Sequence, residues 1–216
     1  MNEAISLENI TKSFGNNLIL EKLNLKIVYG EVLCISGKNG SGKSTLIRIL
    51  SRLITTDSGD YFFNGKPIHD SKEFRKKIGV LLDSNMLYQD MTILENLKFS
   101  SSLYGIKNPQ KNINYVSELF EISNFLNSKV KELSRGFKKR TELAKILLHK
   151  PQIIILDEPE INLDKATIET LKDIIVQERK KGAAIILCTH SEQFDQSTIQ
   201  KFAYIKDRKL ILSKNP

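Results

Sequence analysis

A glycine-rich segment at residues 37–45 carries the residue types that bind a chain of phosphates. It reads Gly-Lys-Asn-Gly-Ser-Gly-Lys-Ser-Thr, a glycine followed by four residues and then Gly-Lys-Ser. Glycines let backbone N–H groups approach a phosphate without a Cβ in the way, and a helix that begins there adds the positive end of its dipole. The segment therefore predicts that the chain binds a nucleoside triphosphate. The expected phosphate contacts are Gly37, Asn39, Gly40, Ser41, Gly42, Lys43, Ser44 and Thr45.

Two side chains of this segment have separate expected roles. The ammonium group of Lys43 would reach the β- and γ-phosphates, and the hydroxyl of Ser44 would bind Mg²⁺. The flanking sequence fits these roles, because Val32–Ile35 reads as a buried strand and Leu46–Leu50 as the helix that follows. A strand, a loop and a helix in this order distinguish a phosphate loop from an ordinary Gly/Ser-rich surface loop.

A second candidate site segment lies about 115 residues further along the chain. The apolar run Ile153–Leu156 is typical of a strand buried on both faces, and Asp157 and Glu158 follow it directly. Successive side chains at a strand end point in different directions, so that one acid can face a metal ion while the next faces a water molecule. We expect Asp157 to bind Mg²⁺ and Glu158 to act as the general base, which together with Lys43 would act on the bound nucleoside triphosphate.

The elements around these segments indicate an α/β protein with an inserted helical lobe. Strands that alternate with helices favour a mostly parallel sheet. The N-terminal strands with the Asn64-Gly65 turn signal indicate a small antiparallel sheet, and Thr92-Ile93-Leu94-Glu95 has the spacing of a capping box. We predict a core of residues 1–83 and 150–216 and a helical lobe of residues 84–149. The remaining predicted strands are Ile5–Ile10, Leu23–Val28, Tyr61–Phe63, Ile78–Leu82, Ala184–Cys188 and Ala203–Ile205, and the predicted helices run from Thr92 to about Tyr104, from about Ile113 to Phe120, from about Gly136 to His149 and from Ala166 to Lys181, with Gly182 as the cap.

Composition narrows the class of protein. The chain has 216 residues and only two cysteines, both in apolar runs, which we interpret as buried thiols. No apolar run approaches the length of a membrane span, and the first residues do not resemble a signal peptide. The net charge of +8 is compatible with nucleic acid, with an anionic membrane surface or with a solvated lysine-rich surface. The basic clusters are short and lack interleaved aromatic residues, so we expect no specific nucleic-acid partner.

Further motifs, in their order along the chain, resemble those of ABC-type ATPases. Leu133–Phe137 is similar to the Leu-Ser-Gly-Gly-Gln signature, and Leu156–Asp164 resembles the segment that carries the acids into the D-loop. His190 stands at the position of the family's switch histidine, and Phe14 at that of an aromatic residue that stacks on adenine. The resemblance covers essentially the whole chain. It implies a P-loop NTPase (RecA-like) core with a small antiparallel β subdomain and an inserted helical lobe.

The same resemblance implies a dimer. In the family, Ser134 and Gly136 would touch the γ-phosphate of ATP held by the opposite protomer, and His190 would stabilise charge in the transition state together with Lys43. Two alternatives stay open on the residues alone. Phe14 is compatible with a place in the hydrophobic core, and Arg135 either aids phosphate binding or faces solvent.

Two positions depart from the family's pattern. Asp83 follows the strand Ile78–Leu82 where the family usually has a glutamine that contacts Mg²⁺ or the attacking water. An aspartate keeps an oxygen ligand but loses the amide donor, so Asp83 is an uncertain metal ligand. In the signature, Arg135 replaces the first glycine and Phe137 replaces the glutamine.

The resemblance favours a transporter ATPase with a separate transmembrane permease subunit, located at the cytoplasmic face of a membrane as a peripheral protein. Within transporters, three segments resemble the heme-exporter ATPase of cytochrome c maturation; they are Met86–Thr92, Glu95–Phe99 and Leu103–Gly105. Drug and polysaccharide exporters share many of these residues. A soluble role, such as cluster assembly, DNA repair or translation, is the alternative from another class.

Overall fold

The computed structural model describes residues 3–68, 71–82, 86–191 and 193–213. Within these ranges the chain forms ten strands and six α-helices. The strands are β1 Glu3–Phe14, β2 Asn17–Val28, β3 Val32–Ser36, β4 Ser58–Phe63, β5 Lys66–Pro67, β6 Ile78–Leu81, β7 Ile153–Asp157, β8 Ala184–Cys188, β9 Lys201–Lys206 and β10 Lys209–Ser213. The α-helices are α1 Lys43–Leu50, α2 Ser71–Arg75, α3 Ile93–Leu103, α4 Gln110–Leu119, α5 Arg135–Leu147 and α6 Lys165–Lys180.

The predicted small antiparallel sheet is confirmed, with the strand order β2-β1-β4-β5. The Asn64-Gly65 turn is also confirmed, because Phe63 pairs with Lys66 across it. Both turn residues have positive φ, 51° for Asn64 and 72° for Gly65, as a two-residue hairpin turn requires. The prediction for β2 was too short, because the strand begins at Asn17 and continues the hairpin that pairs Phe14 with Asn17.

The central sheet has the strand order β10-β9-β3-β8-β7-β6 within the described residues. Its strands are parallel except for β10, which pairs antiparallel with β9, so the expected mostly parallel sheet is confirmed. Strand β8 lies between β3 and β7. The two segments predicted to bind nucleotide therefore leave the same edge of the sheet on either side of β8.

The inner strands β3, β7 and β8 of the central sheet are buried on both faces, and their side chains alternate between two hydrophobic clusters. Leu33 and Ile35 of β3 belong to the cluster that also holds α1 and the antiparallel sheet, whereas Val32 and Cys34 belong to the cluster with α3, α4, α5 and α6. The same alternation holds along β7 and β8. This burial explains the uninterrupted apolar runs in the sequence, because a strand covered on both faces has no solvent side to make polar.

The helices between β6 and β7 begin with the predicted capping box. Thr92 Oγ1 accepts a hydrogen bond from the Glu95 N–H (3.1 Å), and a Glu95 carboxylate oxygen accepts one from the Thr92 N–H (2.7 Å). Helix α4 begins at Gln110, earlier than predicted, because Pro109 is its N-cap residue and a proline is tolerated at the start of a helix. None of the helices in the described ranges has the length and apolar character that a membrane crossing requires.

Candidate functional site

A cavity of about 350 Å³ lies at the carboxyl ends of β3 and β7. Ligand sites of open parallel sheets form at this edge, because the loops that follow the strands meet there. Most of the predicted phosphate contacts and both predicted acids line it, together with one residue of β2. The lining residues are Ile19, Asn39, Gly40, Gly42, Lys43, Ser44, Thr45, Asp157 and Glu158.

The loop before α1 depends on a glycine at position 42. The residue has φ 106°, and a Cβ placed there would lie 3.0 Å from both Ile19 Cγ2 and Leu20 Cδ2. Any other residue would be strained in its backbone and would press against β2. Gly42 is also the N-cap residue of α1 and supplies no side-chain acceptor, so the helix opens into the cavity without a side-chain cap.

The Lys43 side chain is buried and folds back over the loop. Its Nζ donates hydrogen bonds to the backbone oxygens of Gly37 (2.6 Å) and Lys38 (3.1 Å). Gly37 and Ser41 belong to the loop but do not line the cavity, and the Ser41 hydroxyl is buried without a hydrogen-bond partner among the described residues. The lysine thus places a positive charge among backbone amides, an arrangement suited to a polyphosphate.

The two acids lie on the other side of the cavity. Asp157 ends β7 and is 6% exposed. It lies beside the thiol of Cys188, and burial together with the Asp157 charge raises the pKa of that thiol. Glu158 has φ 45°, a left-handed conformation that costs roughly 1–2 kcal/mol for a non-glycine residue. Its N–H donates to the Cys188 carbonyl (2.8 Å), which holds the chain in this turn and keeps the Glu158 side chain at the cavity.

The donor set fits a magnesium ion that is completed by phosphate. The Ser44 hydroxyl and the Asp157 carboxylate line the same cavity, and Mg²⁺ prefers oxygen ligands, usually one or two carboxylates with water and substrate phosphate. The described residues contain no cluster of three or more His, Cys, Asp or Glu side chains that could hold a metal ion by protein alone. Asp83, the uncertain metal ligand, lies outside the described residues.

Two other predicted contacts lie outside the cavity lining. Phe14 ends β1 and is 51% exposed, so the alternative that places it in the hydrophobic core is wrong. The Lys12 Nζ lies 5.4 Å from the centre of its ring. His190 follows β8 and is exposed. An exposed aromatic ring and an exposed imidazole are both accessible to a nucleotide.

The signature residues open α5, away from the cavity. Ser134 is the N-cap residue, and its Oγ accepts a hydrogen bond from the Phe137 N–H (3.3 Å). The backbone at Gly136 passes close to the loop after β7, because a Cβ there would lie 3.1 Å from the Asn162 oxygen. Arg140 joins the same elements through an ion pair with Asp164 (2.7 Å). One chain therefore does not bring Ser134 and Gly136 to its own phosphate loop.

Sequence reasoning missed three residues at or near the site. Ile19 lines the cavity from the part of β2 that was not predicted. Thr189, which precedes His190 in the chain, contacts Glu160. The apolar run Leu18-Ile19-Leu20 was an available signal for the longer strand. No spacing in the sequence pairs Glu160 with Thr189, because that contact joins loops from two different strands.

A larger cavity, of about 980 Å³, lies elsewhere and holds none of the predicted site residues. It is lined in part by Tyr29, Lys111, Tyr115, Lys150 and Lys181. Because the phosphate loop and the acids meet in the smaller cavity, the chemistry rather than the volume identifies the nucleotide site.

Comparison with known proteins agrees with the geometry. A family model described as ABC transporter matches residues 20–161. An uncharacterized ABC transporter ATP-binding protein of Methanocaldococcus jannaschii is 36% identical over 99% of this chain and 76% of its own length. The maltose/maltodextrin import ATP-binding protein of Escherichia coli is 32% identical over 88% of this chain, which spans only 52% of that relative.

Solved structures share the fold. The dimeric structure of a post-hydrolysis state of an ATP-binding cassette, bound to ADP and Pi, has a TM-score of 0.87 and 27% sequence identity. The alignment covers 98% of this chain and 99% of that one. The expected α/β fold with a P-loop NTPase core is therefore confirmed.

Proposed function

This chain belongs to the ABC transporter family and is one of its ATP-binding ATPases, and we propose that it powers a membrane transporter through nucleotide-driven dimerisation. The observation that carries the proposal is the cavity in which the phosphate loop faces Asp157 and Glu158. It supports binding of ATP with Mg²⁺ between Ser44 and Asp157, and hydrolysis with Glu158 as the base.

In this proposal the residues of the cavity have different roles in binding and hydrolysis. The loop amides, the open start of α1 and Lys43 bind the phosphates and stabilise the charge that develops on them. Ser44 and Asp157 would hold Mg²⁺, which would supply positive charge to neutralise that of the phosphates. Glu158 orients the attacking water and accepts its proton, and Phe14 stacks on the adenine.

The signature end of α5 supports a dimer. Ser134 and Gly136 lie outside the cavity of their own chain, so in this proposal they reach the γ-phosphate bound by a second protomer. ATP would then join two protomers, and hydrolysis would release them. The dimeric relative with ADP and Pi supports this arrangement. His190, exposed after β8, would add a positive or hydrogen-bonding group at the same phosphate.

We further propose that an apolar groove on the helices after β6 binds the transmembrane permease subunit. Tyr88, Phe99 and Leu103 are 54%, 38% and 68% exposed, and they line a depression of about 270 Å³ with Met86 and Lys145. Exposed apolar surface of this kind marks protein interfaces. In this proposal the chain divides into a core of residues 1–83 and 150–216 and a helical lobe of residues 84–149. The ATPase would bind as a peripheral protein at the cytoplasmic face of the membrane.

The narrower proposal is export of heme for cytochrome c biogenesis. It rests on the resemblance of segments around the groove, between Met86 and Gly105, to the heme-exporter ATPase. The maltose relative, in contrast, is named an importer. Drug or polysaccharide export and a soluble cluster-assembly role are the competing proposals. The identity of the bound partner distinguishes all of them, because no residue of the cavity would read a transported cargo.

The test of the ATPase proposal uses Glu158→Gln, with Glu169→Gln as a control at an exposed glutamate of α6. We expect Glu158→Gln to bind ATP normally, to dimerise with ATP in light scattering and to lose roughly 100- to 10,000-fold in turnover. The control keeps normal turnover. Near-normal turnover of Glu158→Gln would overturn the assignment of the base.

The test of the transport proposal is a gentle-detergent pull-down of tagged Glu158→Gln, with partners identified by mass spectrometry. We expect a polytopic membrane protein, and we expect Phe99→Glu to lose it while Leu212→Glu, at an exposed leucine of β10, retains it. Recovery of soluble partners or nucleic acid alone would replace the transport proposal with the soluble one. A partner unrelated to heme handling would remove the narrower proposal only.

A further inference from the structure

A chain of hydrogen bonds joins the loop after Glu158 to the loop that carries His190. The Thr189 hydroxyl donates to the Glu160 carboxylate and accepts from the Ser191 N–H (2.9 Å). His190 therefore lies between two residues that are fixed through the same hydroxyl group. Glu160 lies two residues after the proposed base, so the contact spans the two strand ends on which that base and the histidine are placed.

The contact is buried although His190 itself is exposed. Thr189 is 3% exposed, and its backbone amide hydrogen-bonds to the buried thiol of Cys34 on β3. Burial, with the nearby Glu160 charge, raises the pKa of that thiol to about 11, so Cys34 is a neutral neighbour at physiological pH. Thr189 is thus held by β3 through its amide and by Glu160 through its hydroxyl, while the adjacent His190 is exposed.

Packing alone does not explain a glutamate at position 160, because its buried carboxylate lowers the stability of the fold. Its second carboxylate oxygen, Oε2, is buried without a hydrogen-bond partner among the described residues. A buried polar group without a partner destabilises the fold, and an apolar side chain of similar size would avoid that cost. The hydroxyl contact to Thr189 is the specific interaction that the glutamate gains in exchange.

We propose that Glu160 is a positioning residue, which fixes residues 189–191 through Thr189 and so aims His190 at the γ-phosphate. This inference rests on the proposed function in one respect, the role of His190 at the phosphate. Glu160 itself does not line the nucleotide cavity. Its effect on turnover would therefore pass through His190, whereas ATP binding by the phosphate loop would not depend on it.

The first experiment measures kcat and KM for ATP in Glu160→Ala, Glu160→Gln, Thr189→Val and Thr189→Ser. We expect Glu160→Ala and Thr189→Val each to lower kcat by about tenfold, the order of one hydrogen bond to a charged group, with KM unchanged. Glu160→Gln and Thr189→Ser keep the acceptor and the donor, so both retain most of the turnover. The Thr189 pair tests the contact even if Glu160→Ala folds poorly.

The second experiment repeats Glu160→Ala in a His190→Ala background. Because Glu160 acts through His190 in this proposal, we expect Glu160→Ala to lower kcat by less than about twofold in a protein that lacks His190. A further full tenfold loss would overturn the inference, and so would unchanged kcat in both Glu160→Ala and Thr189→Val. Normal turnover of His190→Ala beside slow Glu160→Ala would also overturn it. The wider proposal fails separately, through near-normal turnover of Glu158→Gln.

Discussion

Two helices of this chain begin at predicted nucleotide contacts, and only one of the two helix starts lies in the cavity that holds the phosphate loop. Helix α1 starts at Gly42 and Lys43 in a cavity that Asp157 and Glu158 close from the other side. Helix α5 starts at Arg135 with Ser134 as its N-cap residue, outside that cavity, and its first turn packs on the loop after β7.

The two helix starts also differ in whether a side chain caps them. No side chain caps α1, so its first amides are available to a phosphate, whereas the Ser134 hydroxyl already accepts the Phe137 N–H in α5. The first helix end has what an anion requires within one chain. The second has a positive pole but lies outside the cavity of its own chain, so in the proposed dimer its ligand would be the nucleotide of the partner protomer.

The change with the largest expected effect breaks the complete site. Lys43→Ala removes the buried charge that contacts the loop, and we expect turnover to fall by roughly 100- to 1,000-fold because one stabiliser of transition-state charge is lost. Lys38→Ala is the matched control, since its side chain is exposed and only its backbone oxygen contacts Lys43. Steady-state ATPase assays of both variants test this, and equal losses would contradict the role of Lys43.

The second prediction tests whether the start of α5 serves another chain. Lys43→Ala and Ser134→Arg are each expected to be nearly inactive, but their mixture should recover at least about tenfold over either alone. In a mixed dimer one site combines an intact phosphate loop with an intact signature. Titrating one variant into the other in an ATPase assay measures the recovery. If the mixture is as inactive as each variant alone, the proposal that two protomers share a site is wrong.

The third prediction concerns the other end of α5, which is anchored within its own chain. His149 stacks on Tyr104 with ring centres 3.6 Å apart, and its Nε2 lies 3.0 Å from the Ile78 oxygen. Burial lowers the pKa of His149 from 6.5 to about 4, although the Ile78 carbonyl opposes this. The folded protein therefore favours the neutral ring, and the resulting stability is present above pH 6.5 and lost as the pH falls toward 4.

We expect that loss to be about 2–4 kcal/mol in the free energy of unfolding, measured by urea denaturation between pH 7 and pH 4. His149→Phe keeps a stacked ring without a titrating group, so its stability should fall less over the same range. Parallel pH profiles for the wild type and the variant would contradict the assignment to His149.

The smallest expected effect is at the link between α5 and the loop before α6. The Asp164 carboxylate caps α6 through the Thr167 N–H (2.8 Å) and pairs with Arg140. These contacts, the Thr167 amide first, lower the pKa of Asp164 from 3.8 to about 2. Their stabilisation is present above pH 3.8 and lost as the pH falls through 2. Asp164→Ala should cost about 1 kcal/mol, as expected for a lost N-cap.

Asp164→Asn sharpens this test, because asparagine still caps the helix but lacks the charge. We expect it to retain most of the stability in thermal unfolding at neutral pH. A loss equal to that of Asp164→Ala would mean that the partly exposed ion pair with Arg140, and not the cap, carries the contribution.

Local chemistry explains which elements could be predicted. The capping box of α3 and the Asn64-Gly65 turn are formed by neighbours within four residues, so their residue types are sufficient. Strand β8 was predicted with its observed bounds, because a run buried on both faces ends where polar residues begin. Strand β10 was missed because it is a half-exposed edge strand whose turn, Asp207-Arg208, contains no glycine.

The sequence by itself determined the phosphate loop, its strand and helix, and the pair of acids after β7, because backbone freedom at glycine and the burial of an apolar run are local properties. Only the tertiary structure decided that β8 separates β3 from β7, that Ile19 joins the cavity and that Glu160 contacts Thr189. These facts depend on which distant segments pack together. Strand order and loop-to-loop contacts are set by the packing of the whole sheet, and no short pattern of residues encodes them.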